Sequence, residues 1–230
     1  MAVITIIPAR GGSKGIPQKN IMLFCGKPLI AWSIEEALNA RLVDDVYVTT
    51  DDKTIASISI EYGAKIINRP AEFATDSSSS EDALLHAIEV IESDGIVIDA
   101  VVFLQATSPI RESSDIDGAV KRFYEKQADS LFSSCLLEDY CIWSFDDAHK
   151  ESITYDYKNR GNRQSRKPYF LENGSIYIFK PAILKKQKNR LGGNIEKFEM
   201  PFWKSYEIDS FDDIEICEVF MKKLFDTTGK

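Results

Sequence analysis

The chain is poor in the residues that build metal clusters and disulfide frameworks. Its four cysteines, Cys25, Cys135, Cys141 and Cys217, are scattered without a Cys-x-x-Cys pair, and its two histidines, His86 and His149, stand apart in sequence. That argues against zinc modules and reads as reduced structural thiols of a cytoplasmic protein. No apolar stretch approaches the length of about 18 residues that a membrane span needs. The N-terminal apolar run is too short for a signal peptide, and a glycine turn follows it at once. A basic excess is missing as well: the formal net charge of −8 argues against a nucleic-acid binder, though not against local cationic pockets. Internal repeats and long low-complexity segments are absent, Ser77–Ser80 being too brief. No serine or cysteine nucleophile with a nearby histidine is evident, so a covalent enzyme intermediate is not expected.

What is present fits one large α/β domain over residues 1–230, with 44% hydrophobic and 28% charged residues. Ala2–Ile7 reads as a strand covered on both faces. Pro28 can open a helix whose buried face holds Ile30, Ile34, Ala37 and Leu38. Val46–Thr50 is the next strand, Asp51 or Asp52 caps the following helix, and Gly63 closes it. Ala64–Ile67 is a short strand. Ser78 and Glu81 read as a capping box for a helix bearing Leu84, Leu85, Ile88 and Ile91. Asp99–Leu104 is a third long strand, and Ile116, Ala119, Val120 and Phe123 mark another helix face. Such alternation predicts a three-layer α/β/α sandwich around a mainly parallel sheet, with its ligand crevice beyond the carboxyl ends of the strands.

After Ser130 the alternation fails. Residues 130–180 are rich in aromatic and strand-forming types and carry five cations within Lys158–Lys167. We read them as an arm that packs on a second subunit; a surface loop with a solvated charge run has the same composition. A final helix follows, with Ser210 and Asp213 as its capping pair and Ile214, Cys217, Met221 and Leu224 on its buried face.

The chemistry concentrates in a few segments. Pro8-Ala9-Arg10-Gly11-Gly12-Ser13-Lys14-Gly15 with Lys19-Asn20 is a glycine-rich turn directly after the first strand. Glycines there are expected to take positive φ and approach an anion closely, with Arg10, Lys14 and Lys19 supplying charge. The spacing matches neither the ATPase loop nor the three-glycine dinucleotide fingerprint, and a flexible surface turn can share the composition. The cations and the preceding strand favour a polyphosphate. Gln105-Ala106-Thr107-Ser108-Pro109-Ile110-Arg111 places an amide, two hydroxyls and a guanidinium at a strand's carboxyl end, suited to a polar ligand such as a sugar. Arg69 and the serine run ending at Ser80 lie after the short strand; the serines can contact a base or cap the helix. Glu207-Ile208-Asp209 alternates, so both carboxylates can project one way and hold Mg²⁺ beside a triphosphate, whereas Asp212 and Asp213 suit a helix start.

These segments, with Thr50-Asp51, Arg69-Pro70-Ala71-Glu72, Asp76, Arg163-Gln164 and Glu172-Asn173-Gly174-Ser175-Ile176-Tyr177, resemble the acylneuraminate cytidylyltransferases, including members that activate legionaminic acid, in the family's order over nearly the whole chain. The resemblance implies a nucleotide-diphospho-sugar transferase fold. It implies transfer of CMP from CTP to a sialic-acid-like nine-carbon 2-keto sugar acid, with Mg²⁺ or Mn²⁺ as cofactor. Arg10, Gly11, Gly12, Ser13, Lys14, Lys19 and Asn20 would lie along the nucleotide and Ser80 near cytosine. Gln105, Asn173 and Tyr177 would contact the sugar, Arg163 would act from the arm, and Asp209 would be the main metal ligand. The family is dimeric. Two departures stand out: Glu207-Ile208-Asp209 where Asp-x-Asp is frequent, and Leu171-Glu172 where some members carry an arginine. A nucleotidyltransferase for another acid, such as the eight-carbon keto-deoxy acid, and a non-catalytic nucleotide-binding protein are the rival readings.

Overall fold

β1 (Ala2–Pro8) alternates nothing: Ile4, Thr5, Ile6 and Ile7 are all buried, as a strand covered on both faces must be. The computed structural model describes residues 2–228 except 13, 14, 76, 77, 139, 147, 148, 163, 165 and 166. After the glycine turn, a two-residue hairpin, β2 (Leu23–Phe24) and β3 (Lys27–Pro28), leads into α1 (Leu29–Asn39). Then come β4 (Asp45–Thr50), α2 (Lys53–Glu61), β5 (Lys65–Asn68), α3 (Ser80–Ser93), β6 (Ile98–Leu104) and α4 (Ser113–Glu125). β7 (Ser130–Leu136), the hairpin β8 (Trp143–Phe145) and β9 (Lys150–Ser152), β10 (Phe170–Phe179), α5 (Pro181–Gln187), β11 (Ile195–Glu199) and α6 (Phe211–Thr228) complete the described elements.

The described strands form a seven-stranded sheet in the order β11-β7-β10-β6-β1-β4-β5. Every neighbouring pair is parallel except those made by β10, which runs against both β6 and β7. On one face Ile30 and Ile34 of α1, Ile55 of α2 and Phe123 of α4 pack with Ile7, Val48, Val102 and Ile178. On the other, Leu84, Ile88 and Ile91 of α3 and Leu184 of α5 pack with Ile4, Ile6, Val101 and Phe179. Each such fully buried aliphatic side chain contributes about 2 kcal/mol relative to exposure. The three-layer α/β/α arrangement is therefore observed. A third cluster joins Cys217, Met221 and Leu224 of α6 to Ile16 and Phe24 beside the glycine turn and to Ile208.

Several local expectations shift. Pro28 is the residue before α1 rather than its first, with ψ 139, and Leu38 is 46% exposed because it falls outside the face held by Ile30, Ile34 and Ala37. The capping box of α3 is Ser79 with Asp82, one residue beyond the expected Ser78 and Glu81. Ser78 instead donates to the Glu72 carbonyl, 3.0 Å away. Asp52 caps α2, accepting from Thr54 and Ile55. Asp213 accepts from the Ser210 amide at 2.7 Å, the expected pairing at α6. The segment 130–180 divides differently: β7 and β10 are inner strands of the sheet, and the excursion is confined to 137–169, where the β8–β9 hairpin lies. Strand-rich composition does not reveal that partners lie far away in sequence. The cysteines are free, but Cys141 is exposed rather than structural.

Candidate active site

The glycine turn is built for close approach, not for unusual φ. None of Gly11, Gly12 and Gly15 has positive φ, contrary to expectation. A Cβ on Gly11 would stand 2.8 Å from Asp52 Oδ2, and one on Gly15 would stand 2.7 Å from the Asp209 carbonyl oxygen. The Gly11 amide donates to Asp51 Oδ1, and Asn20, nearly buried, donates to the Arg10 carbonyl at 3.1 Å. Lys19 Nζ reaches across the fold to the Ile208 carbonyl at 2.9 Å and to Asp209 Oδ1 at 2.8 Å. The amino-terminal turn and the acidic segment near the carboxyl terminus thus meet, as the charge pattern requires.

A cleft of about 430 Å³ opens there, beyond the carboxyl ends of β1, β4 and β6. Arg10, Lys19, Asn20 and Asp209 line one side; Arg69, Ser80 and Thr107 line the rest, with Thr75, Ser78 and Ser79 at the start of α3. Arg10 Nη1 donates to the Thr75 carbonyl at 2.8 Å. Arg69 is 8% exposed; its Nε and Nη2 find no hydrogen-bond partner among the described residues, and Asp51 Oδ1 is 3.8 Å from Nη2. Burial lowers its pKa, as does Arg10, against the opposing pull of Asp51. Buried guanidinium nitrogens without hydrogen bonds in a cleft wall are costly unless an incoming acceptor completes them. Ser80 Oγ accepts from Arg190 at 2.8 Å and donates to Glu81 at 3.0 Å. Ser13, Lys14, Asp76 and Arg163 lie outside the described residues.

The second group sits where β10 overshoots β6. Ile176 pairs with Leu104, so residues 170–175 extend past the carboxyl end of β6, with 170–172 still paired to β7. Gly174, at φ +68 within a register irregularity, offers its carbonyl to Gln105 Nε2 at 2.8 Å. A Cβ there would meet Gln105 Nε2 at 2.6 Å and Glu207 Oε2 at 3.2 Å, so glycine keeps these two side chains together. Glu207 is half-buried. Burial raises its carboxyl pKa, Asp209 and Asp213 push the same way, and Lys19 opposes them.

Four expected ligands turn inward. Arg111 is 1% exposed: Nη2 donates to Ser33 Oγ at 2.6 Å and to the Gln105 carbonyl, and Nη1 to the Ser175 carbonyl and hydroxyl. Burial lowers its pKa to about 9 against the pull of Asp115 and Glu36. Arg111 is a post beneath the cleft, bracing the loop that carries Gln105. Asn173 is 4% exposed and bonded to Ser133 Oγ at 2.5 Å. Tyr177 is also 4% exposed, stacked on Phe103, its hydroxyl donating to Glu172 at 2.5 Å. Ser108 is buried too, at 2% exposure. Each lies one layer behind the surface a ligand would touch.

Residues that sequence reasoning missed include Arg190 and Lys204. Lys204 is 5% exposed, its ammonium 2.6 Å from Glu112 Oε2 and 2.5 Å from Asp115 Oδ2. It pins the segment leading to Glu207 and Asp209 onto the start of α4. Nothing distinguishes it from the other lysines in the sequence.

A parallel sheet whose carboxyl edge gathers close-packed glycines, cations and acids is the site of a nucleotide-handling α/β enzyme. The chain belongs to the cytidylyltransferase family, whose model matches residues 4–218. It is 32% identical to pseudaminic acid cytidylyltransferase of Campylobacter jejuni, across 96% of this chain and 97% of that one. It is also 32% identical to N-acylneuraminate cytidylyltransferase of Escherichia coli, across 96% of this chain but 52% of that longer protein. Among solved structures, CMP:2-keto-3-deoxy-manno-octonic acid synthetase complexed with CTP superposes with a TM-score of 0.72 at 20% identity, covering 97% of this chain and 100% of that one, a likeness of fold. No described helix is long and apolar enough to cross a membrane.

Proposed function

We propose that this cytidylyltransferase moves CMP from CTP onto the anomeric 2-hydroxyl of a sialic-acid-like nine-carbon 2-keto sugar acid, releasing pyrophosphate. The observation that carries the reading is the meeting of Arg10, Lys19 and Asp209 in one cleft that also holds Arg69, whose Nε and Nη2 have no hydrogen-bond partner among the described residues. The names of the relatives support the acceptor class, since two matched over 97% of their length are named pseudaminic acid cytidylyltransferases.

Arg10, Arg69 and Lys19 lie along the triphosphate and offset charge growing on the α-phosphate and the departing pyrophosphate. Ser80 faces the base, and Gln105, braced by Arg111 and Gly174, faces the acid. The donor set fits Mg²⁺. Asp209 is exposed at the cleft and Glu207 is half-buried beside it, two hard oxygen ligands of the kind that hold Mg²⁺ together with phosphate oxygens. Among the described residues no group of three or more His, Cys, Asp or Glu could hold a metal without such help. When bound, the cation supplies charge neutralisation and a lowered pKa for the attacking hydroxyl. Asp209 would hold it, and Lys19 orients the Asp209 carboxylate through its 2.8 Å contact with Oδ1.

The excursion 137–169 serves as a dimerisation arm. Trp143 packs against Phe145, Tyr155 and Tyr157 on a hairpin that leaves Phe145 67% exposed. An isolated two-stranded ribbon with such a surface gains stability from a partner. Trp143→Asp with Phe145→Asp is expected to convert a dimer to a monomer in sedimentation; an unchanged mass removes the arm from the interface. A reaction that consumes CTP is in keeping with a cytoplasmic location.

The deciding experiment is a pyrophosphate-release assay with CTP and a panel of pseudaminic, N-acetylneuraminic, legionaminic and 2-keto-3-deoxy-octonic acids. Turnover with a nine-carbon acid is expected. Turnover with the eight-carbon acid alone, or with none, overturns the reading.

A further inference from the structure

Arg190, in the turn between α5 and β11, touches both halves of the site at once. Its Nη1 donates to Ser80 Oγ at 2.8 Å and stands 3.0 Å from Glu81 Oε1. Its guanidinium carbon lies 4.4 Å from the centre of the Tyr177 ring and 5.1 Å from that of Phe103. Tyr177 in turn donates to Glu172, on the part of β10 that overhangs the crevice. The side chains of Arg190 and Glu81 are only about a fifth exposed, so this contact is held more firmly than a surface ion pair. A continuous path, Ser80–Arg190–Tyr177–Glu172, therefore joins the lining of the nucleotide cleft to the strand on the acceptor side.

We propose that Arg190 is a positioning residue that sets the nucleotide rim and the acceptor-side strand together. It acts on CTP through Ser80 and on the sugar acid through Tyr177 and Glu172, without touching the reacting atoms. The assignment rests on the cleft being the CTP pocket. Only a planar, forked cation can bond edge-on to a hydroxyl and a carboxylate while its face covers an aromatic ring. Lysine keeps the charge and loses the stacked face.

The test uses calorimetric CTP titrations and steady-state kinetics on the full chain, with whichever acid of the panel above turns over fastest. Arg190→Met is expected to weaken CTP binding and to raise the acceptor KM, each by about tenfold, with kcat changed less than about threefold. Ser80→Ala should move the CTP constant alone, and Tyr177→Phe the acceptor KM alone. In the double variant Ser80→Ala/Arg190→Met, CTP binding should be no weaker than in Arg190→Met, because both changes break one link. Arg190→Lys should raise the acceptor KM while holding CTP binding within about threefold. It provides the reading if the methionine variant does not fold. Constants within about twofold of wild type in Arg190→Met, an acceptor KM within about twofold in Arg190→Lys, or multiplying losses in the double variant, overturn the assignment. A wild type that binds no CTP ends the functional reading and this one with it. A wild type that transfers CMP while the Arg190 variants match it overturns this one alone.

Discussion

Two sets of cations surround the crevice, and they differ in burial rather than in kind. Arg10 and Lys19 stand at the rim, Lys19 with 14% of its side chain exposed and Asp209, its partner, with 67%. Arg111 and Lys204 stand beneath, 1% and 5% exposed, bonded to carbonyls, hydroxyls or carboxylates of the protein itself. A buried cation bonded to several protein acceptors is committed to holding shape, since removing it strands those acceptors. A rim cation paired with one mobile, solvated acid can exchange that acid for a ligand. The sequence motif that contains Arg111 reads as a ligand set, yet the fold turns its guanidinium inward, leaves Thr107 to line the cleft and bonds the Gln105 amide to the Gly174 carbonyl.

The comparison can be broken at the rim first. Lys19→Ala is expected to lower kcat by about a hundredfold to a thousandfold with the melting temperature little changed. Turnover within a few-fold of wild type would take Lys19 out of the mechanism. Asp209→Ala should abolish the response of rate to added Mg²⁺, and an unaltered magnesium titration counts against its role as a ligand. Beneath the site the signs reverse. Lys204→Ala should destabilise by about 3 kcal/mol in chemical denaturation, because Glu112 and Asp115 are left partly buried and unpaired. Its CTP affinity should stay within about twofold of wild type under folding conditions.

The smallest effect belongs to a surface pair far from the crevice. Asp129 accepts from the Asn194 amide at 2.9 Å and from Lys180 at 2.8 Å, and these bonds hold its pKa below the ordinary value. A depressed carboxyl contributes stability above its unfolded pKa of 3.8 and loses it as pH falls through the lower folded value. Wild type should therefore melt slightly above Asp129→Asn at pH 6, with the gap closing below about pH 4. A gap that persists at pH 2.5 shows that shape, not charge, is what asparagine disturbs.

Much of this was legible from residues alone. β1, β4 and β6 are apolar runs of the right length, and the glycine turn follows the first of them as an anion site should. The start of α3 was misread by one residue because Ser78–Glu81 and Ser79–Asp82 both fit the capping pattern; only the contact of Ser78 with Glu72 decides between them. The place of β10 was not legible, since its pairing with Leu104 and Leu136 depends on partners 34 to 72 positions away in the chain. Arg190 carried no signal either. It is one arginine in a polar turn, and its meaning comes from Ser80 and Tyr177, which the fold brings to it.

The reversed direction of β10 has a mechanical corollary. β7 leaves the sheet at the crevice edge and β10 re-enters there, so the hairpin between them hangs from the working end of the molecule. Its return stem is Glu172, Asn173 and Gly174, whose carbonyl holds Gln105. A force on the hairpin would run end-on along that stem and reach the Gln105 amide without crossing the hydrophobic interior.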